Sequence, residues 1–173
     1  MGTATVYLSV DLTREIIHRL AQSFFTEYQE PIPSFEQHNP ALLDSALSLA
    51  KATYGGIELY PTLADKAAVM FYALIKNHPF ANGNKRIATT ALLVFLYLNG
   101  QWLESEQEGV YRWAVDIAQS ATSEREQILK KLTWWLYQNS TNRSKTKSRG
   151  LFRRIWVALT WLVPIYWYRR KRK

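Results

Sequence analysis

Residues 78–100 read HPFANGNKRIATTALLVFLYLNG, and this stretch decides how the chain folds. Segment 84–99 is apolar on nearly every side of a helix, which a helix tolerates only when other helices surround it. Asn99 and Gly100 form a typical end signal, because glycine accepts the left-handed conformation that follows a last helical turn. The stretch therefore predicts a central buried helix in an all-α fold.

Apolar residues at helical spacing predict further helices on both sides of this one, and no convincing run of alternating strands is present. The first predicted helix, ended by Pro31 and Pro33, is marked by Leu12, Ile16, Ile17, Leu20 and Phe24. Three further helices are predicted over 41–52, 106–119 and 124–138. Another helix is predicted to begin at the capping-box pattern of Thr62 and Asp65 and to end near Asn77.

Length and composition favour one globular domain with an appendage. The chain has 173 residues, of which 47% are hydrophobic and 21% charged, so wholesale disorder is disfavoured. It contains no cysteine, which excludes disulfides, thiolate zinc sites and cysteine nucleophiles. Residues 1–10 do not have the pattern of a signal peptide, and a cytoplasmic location is expected. The predicted divisions are a domain over 1–138, a polar basic linker over 139–150 and a tail over 151–173.

The charge is divided unevenly between domain and tail. Thirteen of the 22 Lys and Arg residues and none of the 14 Asp and Glu residues lie in 130–173, so that segment carries +13 and residues 1–129 carry −5. An acidic body repels a phosphate backbone, and nucleic-acid binding by the body is therefore not expected.

The loop that precedes the central helix has the parts of an anion site. Gly83 allows backbone N–H groups to approach a ligand, and the helix start supplies unpaired donors. Lys85 and Arg86 add two positive charges in the first turn, where the helix dipole alone makes cations unfavourable. A bound anion would resolve that conflict, so the pattern favours phosphate binding, although Lys85 by itself could be a solvated lysine.

His78 is the candidate general base. It lies eight residues before Arg86, and imidazole titrates near neutrality, which suits the removal of a proton from a hydroxyl. Ser-His-Asp spacing is not recognisable in the chain. His18 and His38 have no identifiable partners and are expected to be ordinary surface or half-buried residues.

HPFANGNKR resembles the motif of the Fic/Doc family, His-x-Phe-x-Asp/Glu-Gly-Asn-Gly-Arg-x-x-Arg, and more closely its death-on-curing branch, which ends Asn-Lys-Arg. The similarity extends to YGGIELYPTLADKAA before the motif and ALLVFLYLNG after it, so residues 6–138 resemble a Doc-type toxin domain. The resemblance implies an all-α fold and transfer of part of a nucleoside triphosphate to a protein hydroxyl. For Doc-type toxins it implies ATP-dependent phosphorylation of elongation factor Tu.

The resemblance also implies roles for individual residues of the motif. His78 would be the base, and Phe80 would be the buried anchor of the loop, a packing role without chemistry of its own. The anion cradle and phosphate ligands would come from Gly83, Asn84, Lys85 and Arg86.

Two departures from the family motif bear on the reaction. Lys85 replaces the Gly of adenylylating members and Thr89 stands where their second Arg would be, which favours phosphorylation over adenylylation. Asn82 replaces an acid that binds Mg²⁺, and a neutral amide is a weaker ligand for that ion, so Mg²⁺ is expected as a cofactor that Asn82 binds only weakly. Asn82 could instead be the N-cap of the following helix. Adenylyl transfer, or a catalytically inactive binding protein, are the alternative functions.

The segment before the capping box is a candidate flap, a loop or small hairpin in which paired glycines allow positive φ. It would align a target protein by strand-like pairing. The flap residues are Tyr54, Gly55, Gly56, Ile57, Leu59 and Tyr60.

The self-inhibitory pattern of some Fic proteins, Ser/Thr-x-x-x-Glu-Gly/Asn, is absent, and the resemblance therefore implies restraint by a separate antitoxin protein.

The tail does not follow the family pattern. Residues 155–168 lack charged side chains and are bracketed by Arg pairs and a basic end, with Trp156, Trp161 and Trp167 between them. The run is shorter than the roughly 20 apolar residues of a membrane span and contains Pro164. An extra C-terminal helix that contacts the anionic inner face of the cell membrane is predicted. Packing on the body or on a second copy, or binding of nucleic acid or another acidic partner, are the alternatives.

Overall fold

The computed structural model describes residues 4–24, 30–104 and 107–142. The described chain is mainly helical, which confirms the all-α prediction. Its α-helices are α1 (Val10–Leu12), α2 (Arg19–Phe24), α3 (Pro40–Ser48), α4 (Leu63–Lys76), α5 (Asn84–Leu98), α6 (Gln107–Gln119) and α7 (Arg125–Asn139). Its strands are β1 (Thr53–Tyr54), β2 (Ile57–Glu58), β3 (Gln101–Leu103) and β4 (Ser140–Asn142). Short 3₁₀ turns occupy Phe35–Gln37, Leu49–Lys51 and Thr122–Glu124.

The predicted first helix is continuous but irregular. A π-helical segment, Thr13–His18, joins α1 to α2. Ile17 on this segment is fully buried, whereas Ile16, which the periodicity placed on the apolar face, is 42% exposed. A wider turn changes the angle at which successive side chains project, and a pattern based on 3.6 residues per turn then misplaces some of them.

Helix α4 begins at the predicted capping box. The backbone N–H of Asp65 donates to Thr62 Oγ1 (3.1 Å), and the Thr62 N–H donates back to Asp65 Oδ2 (3.1 Å). The helix ends at Asn77, whose N–H donates to Ala73 O (2.8 Å). Two donors that the first turn cannot satisfy are thus satisfied reciprocally, and the start of the helix is fixed.

Helix α5 is the central helix, as predicted. Its buried residues lie on all sides, and it packs against α2, α4 and α6. Phe71 of α4 and Phe95 of α5 are fully buried in one hydrophobic core with residues of α3, α6 and α7. The core therefore holds both ends of the loop that joins α4 to α5.

Strands β1 and β2 form a hairpin in the predicted flap segment. They are antiparallel, with Thr53 opposite Glu58 and Tyr54 opposite Ile57. The two residues of the turn, Gly55 and Gly56, have φ values of 57° and 80°. Two successive positive φ angles define the type I′ turn that suits the twist of a two-residue hairpin loop, and glycine adopts them without strain.

Strands β3 and β4 form a second antiparallel pair, which the sequence did not predict. Trp102 lies opposite Thr141, and the Glu104 N–H donates to Asn139 O (2.7 Å). Strand β4 therefore begins inside the predicted linker and returns the chain to the segment after α5.

No helix in the part of the chain that the structure describes is long and apolar enough to cross a membrane. The predicted extra C-terminal helix and the rest of the tail lie outside the described residues.

Candidate active site

The loop between α4 and α5 is held by the side chain of Asn84. The Phe80 N–H donates to Asn84 Oδ1 (2.9 Å), and Asn84 Nδ2 donates to Phe80 O (2.7 Å). Both residues are buried, so each backbone group of Phe80 finds in this amide the partner that it would otherwise find in water. The Asn84 side chain thus shapes the loop, and only its backbone N–H is left for the predicted anion cradle.

A second segment of the chain supports the same loop. The Asn39 N–H donates to Pro79 O (2.7 Å), and His38 forms an isolated antiparallel bridge with Phe80. The Phe80 ring is buried, as predicted, and lies 5.9 Å from the ring of Phe35. Phe80 therefore anchors the loop by packing.

His18 and His38 are part of this support, although neither was expected to have a partner. His38 is half-buried, as expected, whereas the expectation of a surface or half-buried residue was wrong for His18. The His18 ring stacks on Phe80 at 5.9 Å, and the His38 ring lies 6.0 Å from Phe80. His18 is 3% exposed, and its Nε2 donates to Pro33 O (2.9 Å). Burial lowers the pKa of His18 below its ordinary value, with an added contribution from His38, and the hydrogen bond to Pro33 opposes both effects.

Gly83 is the N-cap of α5, with a φ of 79°. The prediction that Asn82 could be the N-cap was therefore wrong. Asn82 Oδ1 accepts the N–H of Gly83 (2.6 Å), one residue too early to cap the helix. A Cβ on Gly83 would lie 2.9 Å from Ile32 Cγ1 and 3.3 Å from Arg86 Nη2. Gly83 is needed both for its conformation and for the close passage of Arg86.

The first turn of α5 has the charge pattern that the sequence suggested. Gly83 makes no side-chain cap, and the first helical hydrogen bond runs from the Ile87 N–H to Gly83 O (2.9 Å). The N–H groups of Asn84 and Lys85 come before that bond and point out of the helix start. The turn has no acidic residue; Lys85 is exposed and Arg86 is half-buried. These donors and charges suit an anion with several oxygens, such as a phosphate chain.

His78 lies at the start of the loop, after the end of α4. It is exposed, and it is the one non-glycine residue with positive φ (47°) among the described residues. A positive φ is uncommon for residues other than glycine, although His adopts it more readily than most, and non-glycine residues in this conformation concentrate at functional sites. Nδ1 lies 3.4 Å from Lys76 O, a contact that favours the tautomer with the proton on Nδ1. Nε2 then keeps the lone pair that a general base needs.

The residues around Asn82 do not fit a Mg²⁺ ion held by the protein. The motif loop carries no carboxylate, and Asn82 Oδ1 already accepts a short hydrogen bond from Gly83. Among the described residues, no group of three His, Asp or Glu side chains could hold a metal ion. Hard cations prefer charged oxygen ligands, and this loop offers none.

The flap residues lie apart from the loop along the chain. Tyr54, Ile57 and Leu59 are exposed, and the Leu59 N–H donates to Ala52 O (3.0 Å). The hairpin is attached near the first turn of α4, whereas His78 follows the last turn of α4. The structure thus gathers His78, Gly83, Asn84, Lys85 and Arg86 in one loop and helix start and places the flap as a separate element.

Comparison with known proteins matches this part of the chain. The sequence model of the Fic/DOC family matches residues 7–96, which include the hairpin and the whole loop. Toxin Doc from Mycolicibacterium smegmatis (strain ATCC 700084 / mc(2)155) is 43% identical over 65 residues, or 38% of this chain and 50% of that protein. The chain thus matches about half the length of this curated relative. No solved structure matches the chain.

Proposed function

Because the chain belongs to the Fic/DOC family, we propose that it is a Doc-like toxin that transfers the γ-phosphate of ATP to a hydroxyl of a protein target. The observation that carries the proposal is the helix start of α5. Its first turn carries two cations, no acid and no side-chain cap, and it directly follows a loop that opens with an exposed, left-handed His78. The similarity to Toxin Doc supports the choice of a toxin.

The proposed reaction is a direct in-line transfer. His78 Nε2 accepts the proton of the target hydroxyl while that oxygen attacks the γ-phosphorus. The bond between the γ-phosphorus and the β–γ bridging oxygen breaks, and ADP leaves with the bonding electron pair. Lys85, Arg86 and the N–H groups at the start of α5 neutralise charge on the phosphoryl oxygens, which is the main requirement of a loose transition state. No covalent enzyme intermediate is needed.

Two features of the motif favour phosphoryl transfer over adenylyl transfer. Lys85 occupies the position of the Gly in adenylylating relatives, and Thr89, in place of their second Arg, is buried. A buried threonine offers no charge to a phosphate chain.

The test is label transfer in a cytosolic extract with ATP labelled at either the γ- or the α-phosphate. The wild-type protein is compared with His78→Ala and Lys85→Ala, and with Lys51→Ala as an exposed lysine outside the loop. We expect γ-label on a protein of the size of elongation factor Tu. His78→Ala should lower the rate by about 10²-fold or more, as loss of a general base does, and Lys51→Ala should leave it unchanged.

The position of the label distinguishes the alternatives. Label from the α-phosphate would identify an adenylyltransferase. The absence of both labels would favour a binding protein without catalysis, as the amide at Asn82 suggests, and toxicity would then survive His78→Ala.

We further propose that the flap receives the target protein, as the exposed strands β1 and β2 allow. Deletion of 55–59 should spare nucleotide binding and abolish target labelling. Unimpaired labelling would contradict this role.

We propose an antitoxin protein as the natural partner, on the strength of the similarity to Toxin Doc. Restraint by a second protein is expected because the chain lacks the self-inhibitory glutamate pattern. Co-expression with an antitoxin protein that binds the chain should relieve toxicity of the wild-type chain.

For the tail we propose contact with an anionic membrane surface. The described part of the chain adds one supporting feature, because Trp134 and Tyr137 on α7 are 65% and 72% exposed beside the exposed Lys130 and Lys131. Aromatic and basic side chains together favour a membrane interface. In a flotation assay with phosphatidylglycerol vesicles, truncation after Gly150 should abolish lipid binding. Unchanged binding would exclude the tail as the contact.

A further inference from the structure

Lys66 is a buried lysine whose partners all belong to the flap or to its exit. Its side chain is 3% exposed. Nζ pairs with Glu58 Oε2 of β2 (2.9 Å) and donates to Tyr60 O (2.6 Å), with Pro61 O at 3.5 Å. The ammonium has three N–H donors, and these three oxygens account for all of them.

The position of Lys66 in its own helix does not explain its charge. Lys66 lies in the first turn of α4, where the helix dipole disfavours a cation. Burial of an ammonium adds a desolvation cost, so an apolar side chain of similar length would serve core packing better. The charge is explained by the groups that it binds, the Glu58 carboxylate of β2 and the carbonyl oxygen of Tyr60 just after that strand.

The hairpin needs such an attachment because it has little other support. Each strand has two residues, and the mostly exposed side chains of Tyr54 and Ile57 bury little apolar surface. An isolated two-stranded hairpin is marginally stable in water. A second contact holds the exit of the flap, where Arg125 Nη2 donates to the Tyr60 hydroxyl (3.1 Å).

We propose that Lys66 is a positioning residue that holds the flap in the conformation that receives a strand-like segment of the target protein. This inference rests on the proposed function, in which the flap aligns the target. Lys66 does not touch the nucleotide in this proposal, because it lies near the start of α4, about 15 Å along the helix axis at 1.5 Å per residue from Lys76, which precedes His78 by two residues. Its loss should therefore weaken target binding and spare nucleotide binding.

The test compares full-length Lys66→Met, Glu58→Ala and Lys51→Met with the wild-type protein. Lys66→Met keeps the apolar stem and removes the charge. Glu58→Ala removes the ion pair from a side chain that is half-exposed, so this variant should fold even if Lys66→Met does not. Lys51→Met is the matched control, because it removes an exposed lysine two residues before β1.

The first measurement is amide hydrogen exchange of the peptide that covers 52–60, at constant pH. Loss of a buried, charge-assisted anchor should speed exchange by about tenfold or more in Lys66→Met, and by about threefold in Glu58→Ala, with no change in Lys51→Met. Unchanged exchange in both anchor variants would overturn the proposal whatever the protein catalyses.

The second measurement separates the target from the nucleotide. For Lys66→Met we expect the KM for the target protein to rise by about tenfold while the dissociation constant of ATP stays within about twofold. Faster exchange with an unchanged KM for the target would overturn the positioning role. If the wild-type protein transfers no label, the proposed function has failed, and the binding of target protein to wild type and Lys66→Met then decides the inference. Equal binding overturns it.

Discussion

Gly83 is the residue on which the geometry of the loop depends most directly. Its φ of 79° is close to the 74° of Gly100, but the surroundings of the two glycines differ. A Cβ at Gly83 would meet Ile32 and Arg86, whereas a Cβ at Gly100 would meet nothing within 4 Å. Alanine substitutions at these two glycines therefore separate the free-energy cost of a left-handed backbone from the cost of a steric clash.

Gly100→Ala should lower the free energy of unfolding by about 1 kcal/mol, the usual cost of a left-handed alanine. Gly83→Ala should cost about 2–3 kcal/mol, since Ile32 and Arg86 must also shift. Urea denaturation of both variants measures the difference. Displacement of Arg86 should also reduce label transfer in Gly83→Ala alone, and equal activities would contradict the close passage of Arg86 over Gly83.

His18 gives stability a pH dependence. Its pKa is lowered in the folded protein by burial, so below its ordinary pKa near 6.5 the unfolded chain binds a proton that the folded chain resists. The contribution is complete above that value and is lost as the pH falls through it. The free energy of unfolding should therefore stay constant above about pH 7.5 and decline as the pH falls from there towards about pH 5.5.

His18→Gln keeps a donor for Pro33 O and removes the titration. We expect this variant to show a flatter decline in urea midpoints measured across the same pH range. A decline as steep as that of the wild-type protein would show that other groups cause it.

The sequence could indicate the reacting residues but not their support. His78, Lys85 and Arg86 follow from a local pattern, because the loop and the helix start are contiguous in the chain. His18 and His38 contact Phe80 from more than forty residues away, and nothing near either histidine signals that contact. The Asn84 side chain bonds to Phe80 only four residues away, but the letters of the motif do not show whether this side chain turns inward or outward.

At the scale of elements, predictions succeeded where local chemistry sets the boundary. The capping box at Thr62 and the end of α5 near Asn99 were predicted to within a residue because caps are local. The π-helical segment Thr13–His18 and the β3–β4 pair were missed. Both depend on packing against distant parts of the chain, which local propensity does not encode.

The loop between α4 and α5 should depend on Asn84 more than on Asn82. Asn84→Ala leaves a buried N–H and a buried carbonyl of Phe80 without partners, which should cost about 2–4 kcal/mol. Asn82→Ala removes one hydrogen bond at a half-buried site, for about 1 kcal/mol. Chemical denaturation of the two alanine variants tests the order, and a larger effect at Asn82 would contradict it.

At the scale of the whole molecule, β4 is the last described element of the fold. The core residues reach from Leu8 to Leu136, and β4 then pairs with β3. Residues 1–142 hold eleven Lys and Arg against 14 Asp and Glu, so this part of the chain is acidic and the basic excess follows it. We therefore expect the domain to end after Asn142, a few residues later than the boundary at residue 138 that the composition suggested.

A chain ending at Asn142 should unfold with the same midpoint as the full-length protein and should bind an anion exchanger, whereas the full-length protein binds a cation exchanger. A chain ending at Asn139 loses β4 and should be less stable by about 1–3 kcal/mol, the sum of a few strand hydrogen bonds. Thermal unfolding of the two truncated proteins should then differ by several degrees. Equal midpoints for the two would mean that β4 adds nothing to the domain, and a low midpoint for the longer one would mean that the basic segment belongs to the folded core.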